Sequence, residues 1–470
     1  MSKISFIMHN NCYIIVVRYI LPRMPSKIVS AIKNKYFLSL SGNVIMSGLG
    51  MLTMAIIYRS LDIQVVGVWV LFQSTLLLVD TFRSGFLTTA FIKFYAGSHP
   101  ERTAEIAGSA WVVGLCITGI LVIVNIPVMF FLKDIHDAGY MLFFKWSGLC
   151  FILMLPTFIA TCVLQGEQRF DRMLYVRGVN QGGFLLFILI LIIIGKISLM
   201  GVLFSYLLSY FITSVYVIIM GWARINTIRH KSRKTILELY HFGKFSVGTT
   251  ISANLFGASD AFIINLMLGK AALAIYNLGQ SLMQLVEILL RSFAATAMPS
   301  LSAAFTQDSP IGVIHIMKKY IGMLTVVLIP IIICGWALAD LPIYIIGGGK
   351  YIGTQAANVF RLFLAFSLLY PADRFFGLTL DVINRPIVNF YKVLIMLAIN
   401  ISMDFLGIYI FGNIYGAALS TAIWVMAGVA MGYFALNKYH KFSFWDSYSL
   451  GFSESKLLLA STLQKFRPKK

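Results

Sequence analysis

The chain has 470 residues, of which 59% are hydrophobic and 12% are charged. A soluble globular domain carries roughly 25% charged residues, so this composition excludes an ordinary soluble protein and indicates a chain that lies largely within a bilayer. The formal net charge is +20. Because the charges fall in short loops between apolar runs, they indicate a basic membrane face and no nucleic-acid partner.

Apolar runs of roughly 18 or more residues predict transmembrane helices. The predicted fold class is therefore an all-α integral membrane protein with about twelve such helices. The runs lie at 37–58, 65–90, 106–131, 141–164, 174–194, 198–221, 244–267, 273–303, 319–339, 356–379, 389–411 and 414–436.

The loop charges predict the orientation. Most of the 38 Lys and Arg residues lie in alternate loops and at the two ends of the chain, with Arg385 and Lys392 counted among the loop cations. The opposite loops hold only Arg59, Lys133, Lys196, Lys270 and Lys350. Basic loops face the cytoplasm, so both termini are expected there.

The two ends of the chain lie outside the predicted spans. An apolar stretch at 12–21 is too short to span a bilayer, and Arg18 interrupts it. No small-residue cleavage site follows, which favours an interfacial cytoplasmic arm over a signal peptide. Translation starting at Met24 is an alternative to Met1. The tail combines aromatic residues with Lys, as membrane-surface segments do.

An internal repeat divides the chain. Residues 61–90 align with 268–297, and the matches include polar positions that are uncommon in apolar helices. The shared positions include Gln73 with Gln280, Ser74 with Ser281, Asp80 with Glu287, Phe86 with Phe293 and Thr89 with Thr296. Six helices in each half would relate the halves by a pseudo-two-fold axis along the membrane normal.

We therefore expect two pseudo-symmetric six-helix lobes around a central cavity, in which a substrate would bind. The expected organisation is a cytoplasmic arm at 1–36, a first lobe at 37–221, a basic linker at 222–243, a second lobe at 244–436 and a basic tail at 437–470.

Charged residues inside the predicted spans are the candidate site residues, because a charge in the bilayer faces a cavity or a partner. They are Asp80, Arg83, Asp260, Glu287, Arg291, Arg361, Asp373, Arg374 and Asp404. Asp80 with Arg83 and Glu287 with Arg291 have the spacing of intrahelical ion pairs.

Two interpretations of these charges stay open. Arg83, Arg291, Arg361 and Arg374 either form structural pairs or line a cationic cavity that binds an anionic headgroup, for which the arginine fork is well suited. Asp260 and Asp404 either make polar contacts between helices or take a coupling H+ or Na+.

Several chemistries are excluded by pattern. Gly347-Gly348-Gly349-Lys350 lacks the first glycine and the final Ser or Thr of a phosphate-binding loop, so it predicts a turn. The His and Cys residues show no metal-binding spacing. No segment outside the spans could hold an ATPase domain, and we predict no catalytic residues, metal or cofactor.

Several stretches resemble a known superfamily, the multidrug/oligosaccharidyl-lipid/polysaccharide exporters, and its O-antigen flippase branch. The resemblance covers about 37–436. The stretches that carry it are the opening FLSLSGNVIMSGLGMLTMAIIYRSLDIQVVGVW, then VDTFRSGFLTTAFIKFYAG, LQGEQRF, FGKFSVGTTISANLFGASDAFIINLMLG and AIYNLGQSLMQLVEILLRSFAATAMPSLSAAF.

This resemblance implies a flippase for an undecaprenyl-pyrophosphate-linked oligosaccharide, working by alternating access in the bacterial cytoplasmic membrane. The partners it implies are that lipid-linked glycan, membrane lipids and other polysaccharide-assembly membrane proteins. The four arginines would then bind pyrophosphate.

Two alternatives remain at this stage. A cation-coupled multidrug exporter of the same superfamily shares the fold, but would favour acidic residues over arginines in its cavity. The second alternative is a membrane scaffold or a polymerase of the same pathway. A polymerase would be expected to have a larger outer loop than the one at 340–355.

Overall fold

The computed structural model describes residues 35–130, 136–454 and 456, whose regular secondary structure is helical. The first half contains six long helices. They are α1 (Lys35–Ser60), α2 (Ile63–Tyr95), α3 (Pro100–Phe130), α4 (Ala138–Gly166), α5 (Phe170–Ile193) and α6 (Leu199–Ile219), followed by a 3₁₀ helix at Ile225–His230.

The second half repeats this succession with more breaks. Its helices are α7 (Arg233–Leu268), α8 (Lys270–Leu282), α9 (Gln284–Thr306), α10 (Pro310–Ala337), α11 (Asp340–Gly347), α12 (Ala356–Phe366), α13 (Tyr370–Val382), α14 (Pro386–Phe411) and α15 (Tyr415–Tyr439). Short 3₁₀ helices lie at Gly349–Tyr351 and Ser367–Leu369.

Each of the twelve predicted spans overlaps a helix, but two of the spans are divided. The span predicted at 273–303 is interrupted between α8 and α9, and the span at 356–379 is divided by the 3₁₀ turn between α12 and α13. Among the described residues, nine helical stretches are long and apolar enough to cross a membrane, or ten when the bent α7 is counted as one span. The prediction of a multi-pass, all-helical membrane protein is confirmed.

By internal packing the chain forms two compact units. The first contains the described residues up to Thr53 together with Val79–Thr250, and the second contains Met54–Leu78 together with the described residues from Ile251 onward. The end of α1 and the start of α2 thus group with the second half of the chain, whereas the start of α7 groups with the first. The lobe bounds of 37–221 and 244–436 stay a prediction.

In the first unit, the linker is packed against the start of α3. A Cβ atom on Gly108 would overlap the carbonyl oxygen of Thr227, so glycine is needed for this approach. The Trp111 indole donates to the Ala223 carbonyl at 2.7 Å. Arg102 forms an ion pair with Glu238. These contacts fix the linker to the unit that precedes it.

In the second unit, the tail packs against α10 in a similar way. Residues 446–454 are helical, and we call them the tail helix. A Cβ atom on Gly322 would overlap the Ser447 carbonyl oxygen. Lys319 pairs with Glu454 at 2.6 Å, so the described part of the tail is attached to the second unit by packing and by charge.

The glycine-rich turn before α12 also has a packing role. The Lys350 ammonium donates to the carbonyls of Arg59, in the last turn of α1, and of Leu61, directly after it. A cation at the C-terminal carbonyls of a helix stabilises it. Burial lowers the pKa of Lys350. The Tyr58 hydroxyl donates to Asn277 Oδ1 at 2.8 Å, so the end of α1 is fixed at two points within the second unit.

Candidate functional site

The ion pair of α2 is buried in the first unit. Arg83 Nη2 lies 2.5 Å from Asp80 Oδ1, and the Arg83 side chain is 0% exposed. Arg83 Nη1 donates to the Phe151 carbonyl at 2.9 Å and to Thr118 Oγ1 at 3.4 Å. The Phe158 ring lies 5.1 Å from the guanidinium carbon. The guanidinium is therefore held by α2, α3 and α4 and has no surface open to a ligand in this conformation.

The corresponding pair of α9 is exposed. Arg291 Nη2 lies 2.7 Å from Glu287 Oε2, and the two side chains are 74% and 52% exposed. Both residues lie well inside the apolar stretch Lys270–Thr306. Arg291 is separated from the end of that stretch by about 20 Å of helix at 1.5 Å per residue. Because exposed charges at membrane depth are strongly disfavoured in lipid, we infer that this pair lies beside water and not beside lipid.

Arg361 connects three helices of the second unit. Its Nη2 lies 2.5 Å from Asp340 Oδ2, its Nη1 donates to Asn358 Oδ1 at 2.8 Å, and its Nε donates to the Trp336 carbonyl at 3.2 Å. Three of its five N–H donors are thus directed to protein acceptors, which leaves less of the guanidinium fork for a ligand.

Arg374 is exposed, and it forms no ion pair within the described residues. The neighbouring Asp373 pairs with Lys392 at 2.6 Å, and the Lys392 side chain is buried. Counting Lys392 as a loop cation was therefore wrong, because it lies within α14 and neutralises a carboxylate on α13. Arg374 interacts electrostatically with Asp381, but it donates no side-chain hydrogen bond within the described residues, so its guanidinium fork can still meet an anion.

Asp260 of α7 and Asp404 of α14 are brought together by one amide. Asn400 Nδ2 donates to Asp260 Oδ1 at 2.8 Å and to Asp404 Oδ2 at 3.1 Å. The Tyr276 hydroxyl donates to Asp260 Oδ2 at 2.9 Å, and Ser420 donates to Asp404 Oδ1. Both carboxyl groups are buried. We call these five residues the acidic cluster.

The acidic cluster contains no cation of its own. No Lys or Arg among the described residues forms an ion pair with either carboxylate, whereas Asp80, whose side chain is 14% exposed, is neutralised by Arg83. Two uncompensated negative charges in a low-dielectric interior are costly. A proton or a small cation would relieve this cost, and carboxylate, amide and hydroxyl oxygens are the ligands that hard cations prefer.

The residue pattern predicted only part of this arrangement. Asp260 and Asp404 are visible as charges within apolar runs, but Asn400, Tyr276 and Ser420 are not marked by type. The spacing of Asn400 and Asp404, four residues apart on one helix face, is a usable signal. The three arginines of the second unit share no ion-pair or hydrogen-bond partner within the described chain.

Comparisons with known proteins identify the family of this chain. A family model described as polysaccharide biosynthesis protein matches residues 32–305, which is more than half of the chain. A curated relative from Haloferax volcanii, the probable low-salt glycan biosynthesis flippase Agl15, is 22% identical over 433 residues. The match covers 90% of this chain and 88% of that protein.

Solved structures show the same fold. An inward-facing multidrug resistance MATE family transporter of the MOP superfamily matches with a TM-score of 0.71 and 14% identity, over 85% of this chain and 96% of that one. The lipid II flippase MurJ in an inward closed conformation matches with a TM-score of 0.70 and 14% identity, over 92% and 94%. At these identities the likeness concerns the fold, and it confirms the predicted fold class.

Proposed function

Because the chain belongs to the polysaccharide biosynthesis protein family, we propose that it is a flippase that moves a lipid-linked oligosaccharide across a membrane. The observation that carries this proposal is the family match over 32–305, and the relative named as a glycan biosynthesis flippase supports it. In its finer form, the substrate is an undecaprenyl-pyrophosphate-linked oligosaccharide and the membrane is the bacterial cytoplasmic membrane, with both termini of the chain on its cytoplasmic side. Such a transfer makes and breaks no covalent bond, so the protein acts as a transporter and not as an enzyme.

The exposed arginines support recognition of the pyrophosphate. Arg291 is directed to water at membrane depth and has one carboxylate partner, Glu287. Arg374 is also exposed. Arginine binds phosphate through two parallel N–H bonds, so these two residues are best placed to meet an anionic headgroup. A role for Arg83 requires a conformation that exposes it, and a role for Arg361 requires exchange of Asp340 for phosphate.

The carboxylate beside Arg291 suits a binding site that must also release its ligand. Transport by alternating access requires the site to bind on one side and to let go on the other. Glu287 is able to replace the pyrophosphate as the partner of Arg291 once the substrate leaves. The ion pair at 2.7 Å would then be the substrate-free state of the site.

The acidic cluster supports coupling to an ion. Asp260 and Asp404 can be neutralised by one H+ or one Na+, and loss of that ion would restore repulsion between them. Asp260 lies on α7, Asp404 on α14 and Ser420 on α15. Binding or loss of the ion would therefore change the packing of three helices. We propose that this cluster is the coupling site, with the coupling ion as cargo.

The first experiment is a lipid extraction. The gene is deleted in its host, undecaprenyl-linked glycans are identified by mass spectrometry, and wild type or Arg291→Ala is restored on a plasmid. We expect a complete, unpolymerised lipid-linked repeat unit to accumulate in the deletion, to disappear with wild type and to persist with Arg291→Ala.

The control is Arg385→Ala, which removes another exposed arginine, and it should clear the lipid as wild type does. An unchanged lipid pool in the deletion, together with new sensitivity to cationic drugs, would overturn the flippase and favour the multidrug exporter. Equal failure of the Arg291 and Arg385 variants would remove the specific role of Arg291 while leaving the flippase intact.

A further inference from the structure

The linker carries a group of exposed cations without partners. These side chains are all exposed, and within the described residues none takes part in an ion pair or a side-chain hydrogen bond. They are Arg229, Lys231, Arg233 and Lys234. Other cations nearby are paired, as Arg224 is with Glu167 at 2.5 Å. The group therefore combines a high positive charge density with a lack of internal compensation.

The backbone that carries these cations is fixed. The close approach of Thr227 to Gly108 leaves no room for a side chain. Ser232 N donates to Ser109 Oγ at 3.2 Å, on the residue after that glycine. Thr235 donates to Glu105 Oε1 at 2.7 Å. A preformed surface loses little backbone entropy when it binds a partner, which distinguishes it from a flexible basic loop.

The same surface has an apolar edge. Ile225 precedes the cations, and Leu237 and Tyr240 follow them on the first turns of α7, all three with exposed side chains. The segment lies between the end of α6 and the apolar part of α7, which places it at the level of the membrane interface. Cations mixed with aliphatic and aromatic side chains are typical of helices that rest on a lipid surface.

We propose that this linker surface, formed by Arg229–Lys234 with Ile225, Leu237 and Tyr240, binds the anionic phospholipid headgroups of the adjacent leaflet. The positive-inside rule accounts for basic residues in this loop. It does not account for their display, unpaired, on a docked backbone with an apolar edge. Clusters of basic residues next to a span attract anionic lipids. This binding is independent of the identity of the transported substrate.

The test uses the full-length protein in detergent. Thermal unfolding is followed while phosphatidylglycerol or phosphatidylcholine is added, for wild type and for a variant with Arg229→Gln, Lys231→Gln, Arg233→Gln and Lys234→Gln. We expect phosphatidylglycerol alone to raise the Tm of wild type, and the variant to need roughly tenfold or more lipid for the same rise, because each cation near an anionic surface strengthens binding several-fold. The effect should weaken as salt increases.

A matched control removes four exposed cations outside both the linker and the tail, by Lys93→Gln, Lys145→Gln, Lys196→Gln and Arg385→Gln. This variant has the same change in net charge and should respond to phosphatidylglycerol as wild type does. If both variants lose the Tm rise with phosphatidylglycerol to the same extent, the effect depends on net charge alone and the proposal is overturned. The same Tm rise with inorganic phosphate in place of lipid would overturn it too, because a free anion would then be the ligand.

Discussion

The two halves of the chain place equivalent ion pairs in opposite environments. Asp80 and Glu287 align in the internal repeat, and each pairs with an arginine one turn further along its helix. Arg83 is 0% exposed, whereas Arg291 is 74% exposed. One half thus uses the pair to hold three helices together, and the other leaves it exposed.

The cause of this difference is a shift of one residue. In the register of the repeat, Arg83 aligns with Leu290, and Arg291 aligns with Ser84. One residue turns a side chain by about 100° around a helix of 3.6 residues per turn. Leu290 is buried in the second unit, as Arg83 is in the first, so the inward position is the same in both halves. Equivalent positions of the repeat therefore face the same way in both halves. Whether a charge is buried depends on which residue type occupies the inward position.

The backbone repeats more closely than the side chains do. Gln168 and Asn384, which follow α4 and α13, have positive φ angles of 55° and 59°. In each turn the next amide donates to the carbonyl five residues earlier, from Arg169 to Leu164 at 2.8 Å and from Arg385 to Leu380 at 2.9 Å. Similar turns therefore end corresponding helices in the two halves, although the sequences LQGEQRF and LDVINRP differ at most positions.

The largest expected effect is on stability, at Arg83. Arg83→Met leaves Asp80 buried without its cation, and breaking a buried pair in this way costs about 3–5 kcal/mol. Arg291→Met, at an exposed pair, should change the free energy of unfolding by at most about 0.5 kcal/mol. Thermal and denaturant unfolding in detergent would measure both. Similar losses for the two variants would contradict the difference in environment.

The next effect concerns transport and the acidic cluster. Asp404→Asn removes one of the two carboxylates that have no cation, so we expect ion-driven transport in proteoliposomes to fall roughly 100-fold, about 2.7 kcal/mol at about 1.36 kcal/mol per factor of ten in rate. Stability should be kept, because the uncompensated buried charge is lost. Na+ and H+ gradients, imposed separately, would identify the ion.

The matched control for this prediction is Asp381→Asn, at an exposed carboxylate that accepts hydrogen bonds from Asn389. It makes the same chemical change and should keep transport within about twofold, as for a surface substitution. If Asp404→Asn works at the wild-type rate under both gradients, the acidic cluster has no part in coupling.

A smaller effect would test the one-residue shift itself. Arg83→Leu combined with Ser84→Arg gives the first half the pattern of the second, with a buried leucine and an arginine four residues after Asp80. We expect this double variant to recover about 1–2 kcal/mol of the stability lost in Arg83→Leu alone, because Asp80 regains a cation at i+4 spacing and the leucine fills the inward position. No recovery would mean that helix direction does not explain the burial of Arg83.

Apolar runs were sufficient to locate the helices, since each span needs a long run and loops collect charge. They did not reveal the break at Met283, because apolar residues continue on both sides of it. The burial of Lys392 was also missed, since its partner Asp373 lies on another helix. Arg83 and Arg291 looked alike because intrahelical spacing reports pairing and carries no information on what packs around the pair. The packing of Thr227 on Gly108 depends on tertiary contact alone.

The smallest effect is expected at the carboxylates of the two pairs. Glu287→Gln removes the competitor of a pyrophosphate for Arg291, so we expect lipid-linked substrate to bind a few-fold more tightly and turnover to fall a few-fold, because release slows. Asp80→Asn is the matched change in the first half. It should leave substrate affinity unchanged and lower the Tm, because it strands the buried Arg83 guanidinium. Affinity measured by substrate-dependent Tm shifts, with turnover in proteoliposomes, separates the two cases. A rise in affinity for both variants, or for neither, would show that the exposed pair of the second half has no closer relation to the substrate than the buried pair of the first.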